Sequence, residues 1–564
     1  MRLLLLCLAL VVSPSRAQPV AQPDEDVFGP MQAEMARSLA RLHEETFGPP
    51  YFMAYRLVDI RRYDVASSFG ATVSESDDRA RQLFVEARYG DRTLDNTDLS
   101  FHGWSGDAGD SPEVLRQNLW LLTDQAYKNA LQGYLEKKAR RVTEYTSDRL
   151  DDFSVEKATV SLDDPPRAEW DKARARALAD RLSAVFRRYP DVYEARATVA
   201  LSSSRHYLLT SEGTKIASRQ VLPSLVDLWA STRAPDGMRL TSHRRWMIDK
   251  LSDLPPEREL VKGAEDLAAE LIASRQAPVQ PPTAAPAILD PEMTGVLFHE
   301  ALGHKLEGQR QRDPQQSQVF RDLVGKKIIP DFLSLWDDPT MATFRGEPVH
   351  GYYRFDDEGV PAQKVVLVDH GVLKNFLMSR WPVKGFEHSN GHGRADSKLR
   401  PTGRMANLMV RAEHPLSREE LKKRLMAMAR KAGKPYGFFL VGSWGGENPN
   451  GRDAAQTLEV RPRLVYRVDA KTGEETLVRG VSMVGTPLLM LNRIVAAAND
   501  DAISNGFFCG AESGMVPVDQ IAPSVLVSEI ELQRLPEDLA RPPLLASPFH
   551  DTDALAGTKE PKKP

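Results

Sequence analysis

The sequence predicts an α+β protein in two lobes, and three observations carry that reading. The chain has 564 residues, about twice the length at which a single hydrophobic core stops growing. Helical stripes and alternating, strand-like segments interleave through its first half. Beyond a proline-dense stretch the pattern changes to short strands with few helices. A hydrophobic fraction of 41% and a charged fraction of 27% are those of an ordinary globular protein. A net charge of -4 gives no electrostatic reason to expect a nucleic-acid partner.

Read in order, Met1-Arg2 and the apolar run 3–12 form a charged n-region and an h-region, and Ser15-Arg16-Ala17 supplies the small residues of a cleavage site. Residues 1–17 are therefore expected to be a signal peptide, and the protein to be exported, periplasmic or secreted. No later stretch reaches membrane-spanning length, so no membrane span is expected in the mature chain. Of the two cysteines, Cys7 leaves with that segment, and Cys509 alone cannot make an internal disulfide. It must be buried and inert, paired between chains, or bound to something.

Residues 18–275 read as an α+β domain. A first helix carries Met31, Met35, Leu39 and Leu42 on one face. Strand-like segments follow around 56–60, 71–74 and 83–88. Pro112 opens a long helix with Leu115, Leu119, Leu122 and Ala126 inward. Another helix, starting near Pro166, carries Trp170, Ala173, Ala177, Leu182 and Phe186. Ser211-Glu212-Gly213-Thr214 reads as a hairpin turn between strands. Residues 276–286 read as a proline-rich linker and 287–548 as a β-rich second domain. Its clearest helix has Ser417 as N-cap, Glu420 three residues on and Gly433 past its end. Residues 549–564 are expected to be a disordered tail.

The chemistry concentrates in Val296-Leu297-Phe298-His299-Glu300-Ala301-Leu302-Gly303-His304-Lys305-Leu306-Glu307-Gly308. Two histidines four residues apart share one face of a helix and can share a metal, with a neighbouring Glu as base. Here the interval is five. On a regular helix five residues turn by about 500°, which leaves the imidazoles roughly 140° apart. The pair can converge only if the helix widens or ends between them, and Gly303 is the residue that would tolerate the unusual backbone. A catalytic zinc takes three protein ligands and leaves one position open. Cys509, between Phe507-Phe508 and Gly510, is one candidate for the third, and a buried apolar thiol is the other reading of it. Glu307 competes as ligand, or serves behind the ligands as their partner.

These residues, with Cys509-Gly510, Val516-Pro517-Val518, Ser389-Asn390-Gly391-His392-Gly393-Arg394, Arg404-Met405-Ala406-Asn407 and Val481-Ser482-Met483-Val484-Gly485, resemble the TldD/PmbA family of metallopeptidases. The similarity is to its catalytic branch, which carries the His-Glu-x-x-x-His segment. The resemblance implies zinc held by His299, His304 and Cys509, with Glu300 activating a water. It implies a dimer, of like chains or with a paralogue, and a peptide or unfolded-protein substrate held extended in an internal cleft. Oxyanion stabilisation requires a further donor, for which His392, Arg394 and His350 are candidates. Two other functions compete: a non-catalytic, metal-containing scaffold or peptide-binding subunit, and a thiol peptidase with Cys509 as nucleophile.

Overall fold

A computed structural model describes residues 25–550 apart from 45, 99–102, 144–149, 164–168, 221–223, 314–315, 317, 448–456 and 536–538. The expected signal peptide, residues 1–17, and residues 551–564 of the expected tail lie outside the described residues.

The molecule is α+β, in two lobes. The first is built on an antiparallel hairpin of Phe52–Ser68 with Ala71–Arg88, extended by Glu194–Thr210. The free side of Glu194–Thr210 takes two partners, Lys215–Gln220 along one half and Ser224–Arg233 along the other. The hairpin strands are far longer than the fragments read from sequence. In the second strand the run 71–80, which includes the fragment 71–74, is exposed on both faces, so burial does not mark its continuation and the backbone ladder alone carries the strand on from that fragment.

Alternation on Phe52–Ser68 divides the labour of the lobe. Met53, Tyr55 and Leu57 pack under helices α1 (Glu25–Arg41) and α2 (Pro112–Thr143). Farther along, Tyr63 and Val65 pack under α3 (Lys172–Ala184) and α4 (Glu257–Gln276). The alternate residues Phe52 and Ala54 join Phe153, Leu208 and Ile216 on the opposite face, beside Phe355 of the second lobe. Helix α3 starts later than Pro166, which lies outside the described residues; Asp171 caps it by accepting from the Arg174 amide at 2.9 Å.

The linker is shorter than the 276–286 read from sequence. Helix α4 runs to Gln276, and Thr283–Leu289 is already a strand of the second lobe. Pro286 is tolerated there because it falls at a register shift against Val525–Arg534, where the ladder is interrupted anyway. That strand pairs with Tyr436–Glu447, then Leu458–Asp469, Val481–Gly485 and Val525–Arg534 close the ring into a small barrel. A second, six-stranded sheet runs Val372–Leu373, Val365–Asp369, Leu333–Asp337, Asn407–Ala412, Gly514–Ala522 and Ala502–Ala511. Helix α5 (Pro291–Phe298) lies in the core shared by barrel and sheet, with Met293, Val296, Leu297 and Phe298 buried. Helix α6 (Arg418–Lys431) carries the expected capping box of Ser417 and Glu420. Phe549, the first residue of the expected tail, lies against Phe69 with ring centroids 5.4 Å apart and planes tilted by 39°. Among the described residues no helix is long and apolar enough to cross a membrane.

Candidate metal centre

Helix α5 is aimed by its first residues. Asp290 accepts from the Met293 amide at 2.8 Å and from Gly442 of the neighbouring strand at 2.9 Å, and Pro291 fills the first turn. At His299 the helix widens: His299–Gly303 is one π turn, closed by a bond from the His304 amide to the His299 carbonyl. This is the distortion that the five-residue spacing demands. It brings the two imidazoles to 4.9 Å between centroids, with their planes at 90°.

The reason for Gly303 differs from the one read in the sequence. Its backbone is ordinary right-handed helix, φ -49° and ψ -57°. What it lacks is room: a Cβ there would stand 2.0 Å from the Met405 sulfur. The widened turn is pressed against Met405, so glycine is required by packing rather than by dihedral freedom.

Cys509 arrives from a distant segment, on Ala502–Ala511, with only 3% of its surface exposed. Its Sγ lies 3.3 Å from His304 Nε2. The donor atoms of His299, His304 and Cys509 all lie within 4.8 Å of one another, and all three residues are buried. Donors around one tetrahedral zinc stand roughly 3.3–3.7 Å apart, given bond lengths of about 2.0–2.3 Å; the Cys509–His304 pair is already at that spacing, and the three donors are of the type a metal ion takes.

Each ligand candidate is held from behind. His304 Nδ1 lies 3.0 Å from Glu307 Oε1, which leaves Nε2 as the atom aimed at Cys509. Glu307 is therefore the orienting partner of His304. The Gln520 amide lies 3.0 Å from His299 Nδ1 and plays the same part for that ring. Burial opposes charge on Glu307, but Arg310 and His304 hold its carboxyl down at about 2. Burial likewise opposes the Cys509 thiolate, and His304, His299 and Arg404 overcome it, keeping the thiol well below its ordinary range. A ligating sulfur needs that depression. For His304, burial would lower the imidazole, yet the Cys509 sulfur and Glu307 together raise it well above its usual value.

Glu300 sits half-buried on the π turn, and burial raises its carboxyl despite the two histidines. The strand Tyr436–Glu447 crosses it so closely that a Cβ on Gly446 would stand 2.8 Å from Glu300 Cγ. The oxyanion candidates have other commitments. His392 contacts Asn390 and Asp337, Arg394 donates to the Met405 and Pro517 carbonyls, and His350 contacts Asp519. None of the three belongs to the ligand cluster.

Gln520 escaped the functional reading of the sequence, and Arg404 and Met405 entered it only as part of a family-like motif, without a role. The burial of alternate residues Val516, Val518 and Gln520 on one strand was the available signal, because a polar residue in an apolar stripe must have a partner.

Residues 282–534 match the family model described as the PmbA/TldA metallopeptidase C-terminal domain. A metalloprotease of Methanocaldococcus jannaschii is 33% identical over 233 residues, covering 41% of this chain and 47% of that protein. A metalloprotease of Archaeoglobus fulgidus is 34% identical over 241 residues, 42% of this chain and 51% of its own. The zinc metalloprotease TldD homologue of Saccharolobus solfataricus is 28% identical over 250 residues, covering 44% and 51%. The chain thus spans about half the length of these relatives. Among solved structures, a candidate modulator of DNA gyrase from Thermotoga maritima superposes with a TM-score of 0.61 at 17% identity, over 89% of this chain and 100% of that one. TldE from Thermococcus kodakarensis gives 0.58 at 14% identity, again over 89% and 100%. These two likenesses are of fold. In sequence, residues 282–534 are thus similar to the PmbA/TldA metallopeptidase C-terminal domain, and over most of its length the chain shares the fold of these solved structures.

Proposed function

We propose that this protein is a zinc peptidase that hydrolyses unfolded or short peptides held extended in an internal cleft, with His299, His304 and Cys509 as zinc ligands and Glu300 as general base. The observation that carries the reading is the convergence of three buried donors from segments two hundred residues apart, with Glu300 on the same π turn. Export through residues 1–17 and action as a dimer complete the proposal.

Bound zinc would supply Lewis acidity at the scissile carbonyl and a more acidic water. The remaining steps fall to the chain. Glu300, raised by burial, accepts the proton of the attacking water and returns it to the departing amine. Glu307 and Gln520 keep the two imidazoles in the tautomer and orientation that ligation needs. A thiolate donates more charge than an imidazole, so turnover of small amides should be modest. The strand that carries Cys509 is the outermost of its sheet among the described residues. An extended peptide added there would gain main-chain hydrogen bonds with little demand on its side chains.

One observation favours a second reading. His304 contacts Cys509 through Nε2 at 3.3 Å and Glu307 through Nδ1 at 3.0 Å, which are also the contacts of a thiol nucleophile, its base and an orienting acid. That reading leaves His299 and Glu300 without work. Hydrolysis of unfolded casein before and after chelation separates the two: a zinc peptidase loses activity and regains it with added zinc, whereas a thiol peptidase keeps it. A scaffold would show no hydrolysis in either state.

A further inference from the structure

Arg404 occupies the point where the two ligand-bearing segments meet, and its role in the chemistry is unassigned. It is fully buried. Its Nη2 donates to the main-chain carbonyl of Cys509 at 2.6 Å, and its Nη1 donates to Ser513 Oγ at 2.8 Å and to the Gly514 carbonyl at 2.9 Å. One guanidinium therefore spans the hairpin that presents the sulfur. On its other side Nε lies 3.4 Å from Glu307 Oε1, the same oxygen that contacts His304 Nδ1. Arg310 closes on the second Glu307 oxygen at 2.8 Å from Nε and reaches Glu512 of the hairpin at 3.0 Å.

We propose that Arg404 is a positioning residue of the metal centre, which fixes the separation of Cys509 Sγ and His304 Nε2 by hydrogen-bonding the Cys509 main chain and setting its charge against Glu307 from the same rigid plane. The inference rests on the metal-site reading above. Two features of the residue suit the task. Its planar fork serves several acceptors at fixed angles, which a lysine ammonium cannot do from one position. Its permanent charge offsets the anions on either side, the Cys509 thiolate and the Glu307 carboxylate, in a space closed to water. Arg310 and Gln309 reach Glu512 of the same hairpin, and Gln520 reaches His299, but of these side chains only Arg404 bonds the Cys509 main chain.

The test compares wild type with Arg404→Met and Arg404→Lys in the full chain. Zinc affinity is read by competition with a chromophoric chelator, and the sulfur–metal bond by the thiolate-to-cobalt charge-transfer band of the cobalt-loaded protein. Removing a partner behind a metal ligand typically lowers affinity about 10- to 100-fold, and that loss is expected for Arg404→Met, with a weakened or shifted cobalt band. Arg404→Lys keeps the charge but not the fork; it should fold, bind zinc several-fold more weakly than wild type, and change the band in the same direction. Should Arg404→Met fail to fold, the lysine variant decides. Wild-type affinity and an unchanged band in a folded variant would overturn the proposal even if its thermal stability fell, since that pattern is a scaffold role. A wild-type protein that binds no zinc would overturn the metal-site reading, and this inference with it.

Discussion

Single side chains decide the chemistry, and two substitutions separate its parts. Glu300→Gln keeps shape and polarity but cannot take a proton. Its zinc content should match wild type while kcat falls by a factor of about 10² to 10⁴, the usual worth of a general base; casein hydrolysis beside metal analysis reads both. Full activity in that variant would remove Glu300 from the mechanism. Cys509→Ala should lose zinc and activity together. If it binds zinc undiminished, the third ligand lies elsewhere. His299, Glu300 and His304 are legible in the sequence because metal chemistry demands His and Glu at short spacing. Cys509 is legible because it is the only cysteine after Cys7. Gln520 is not, and Arg404 is legible only as part of a motif with no role attached, because a hydrogen bond to a ligand needs only some polar residue brought close by the fold, and no spacing rule announces it.

At the scale of elements, the π turn and the strand crossing it make the sharpest demands. Gly303→Ala would drive a Cβ into the Met405 sulfur 2.0 Å away. The turn must shift, and the two imidazoles with it, so zinc affinity should fall along with stability; Gly303→Ala combined with Met405→Ala should recover part of both. Gly446→Ala meets Glu300 Cγ at 2.8 Å and touches no ligand. It should lower kcat with zinc retained, which kinetic and metal measurements on the same sample check. Helix α6 was legible through its capping box, and Ser417→Ala should cost about 1 kcal/mol in a denaturant titration. The full length of the hairpin was not legible, since the first ten residues of its second strand are exposed on both faces and burial marks no alternation there. The linker was overdrawn because proline density reads as extended coil, while the register shift that admits Pro286 is a property of the partner strand.

For the whole molecule, the two-lobe plan follows from length and from the change of pattern, but the way the lobes meet could not be read in advance. Their junction combines the apolar cluster around Phe153 with buried charged groups. Phe153 lies between Arg88 and Arg380, whose guanidinium carbons stand 3.7 and 3.8 Å from its ring centroid. Glu358 of the second lobe accepts from the Arg380 amide at 2.7 Å. Burial at this junction pushes the Glu358 carboxyl up to about 7, against the pull of Arg380. A carboxyl raised above its unfolded value, near 4.3, favours folding most at low pH. Its contribution is full below the unfolded value and is lost as pH rises through about 7. Buried Asp356 is raised as well and acts in the same direction. Thermal unfolding of Glu358→Gln across pH 4 to 8 should therefore show a flatter profile than wild type; an unchanged slope would mean the carboxyl is not held neutral.

The central claim is that this chain closes His299, His304 and Cys509 on one zinc ion. Metal analysis of the purified full-length protein tests it most directly. One zinc per chain is predicted for wild type and for Glu300→Gln, and none for Cys509→Ala. Wild-type protein without stoichiometric zinc, prepared without chelator and with zinc supplied, would contradict the account.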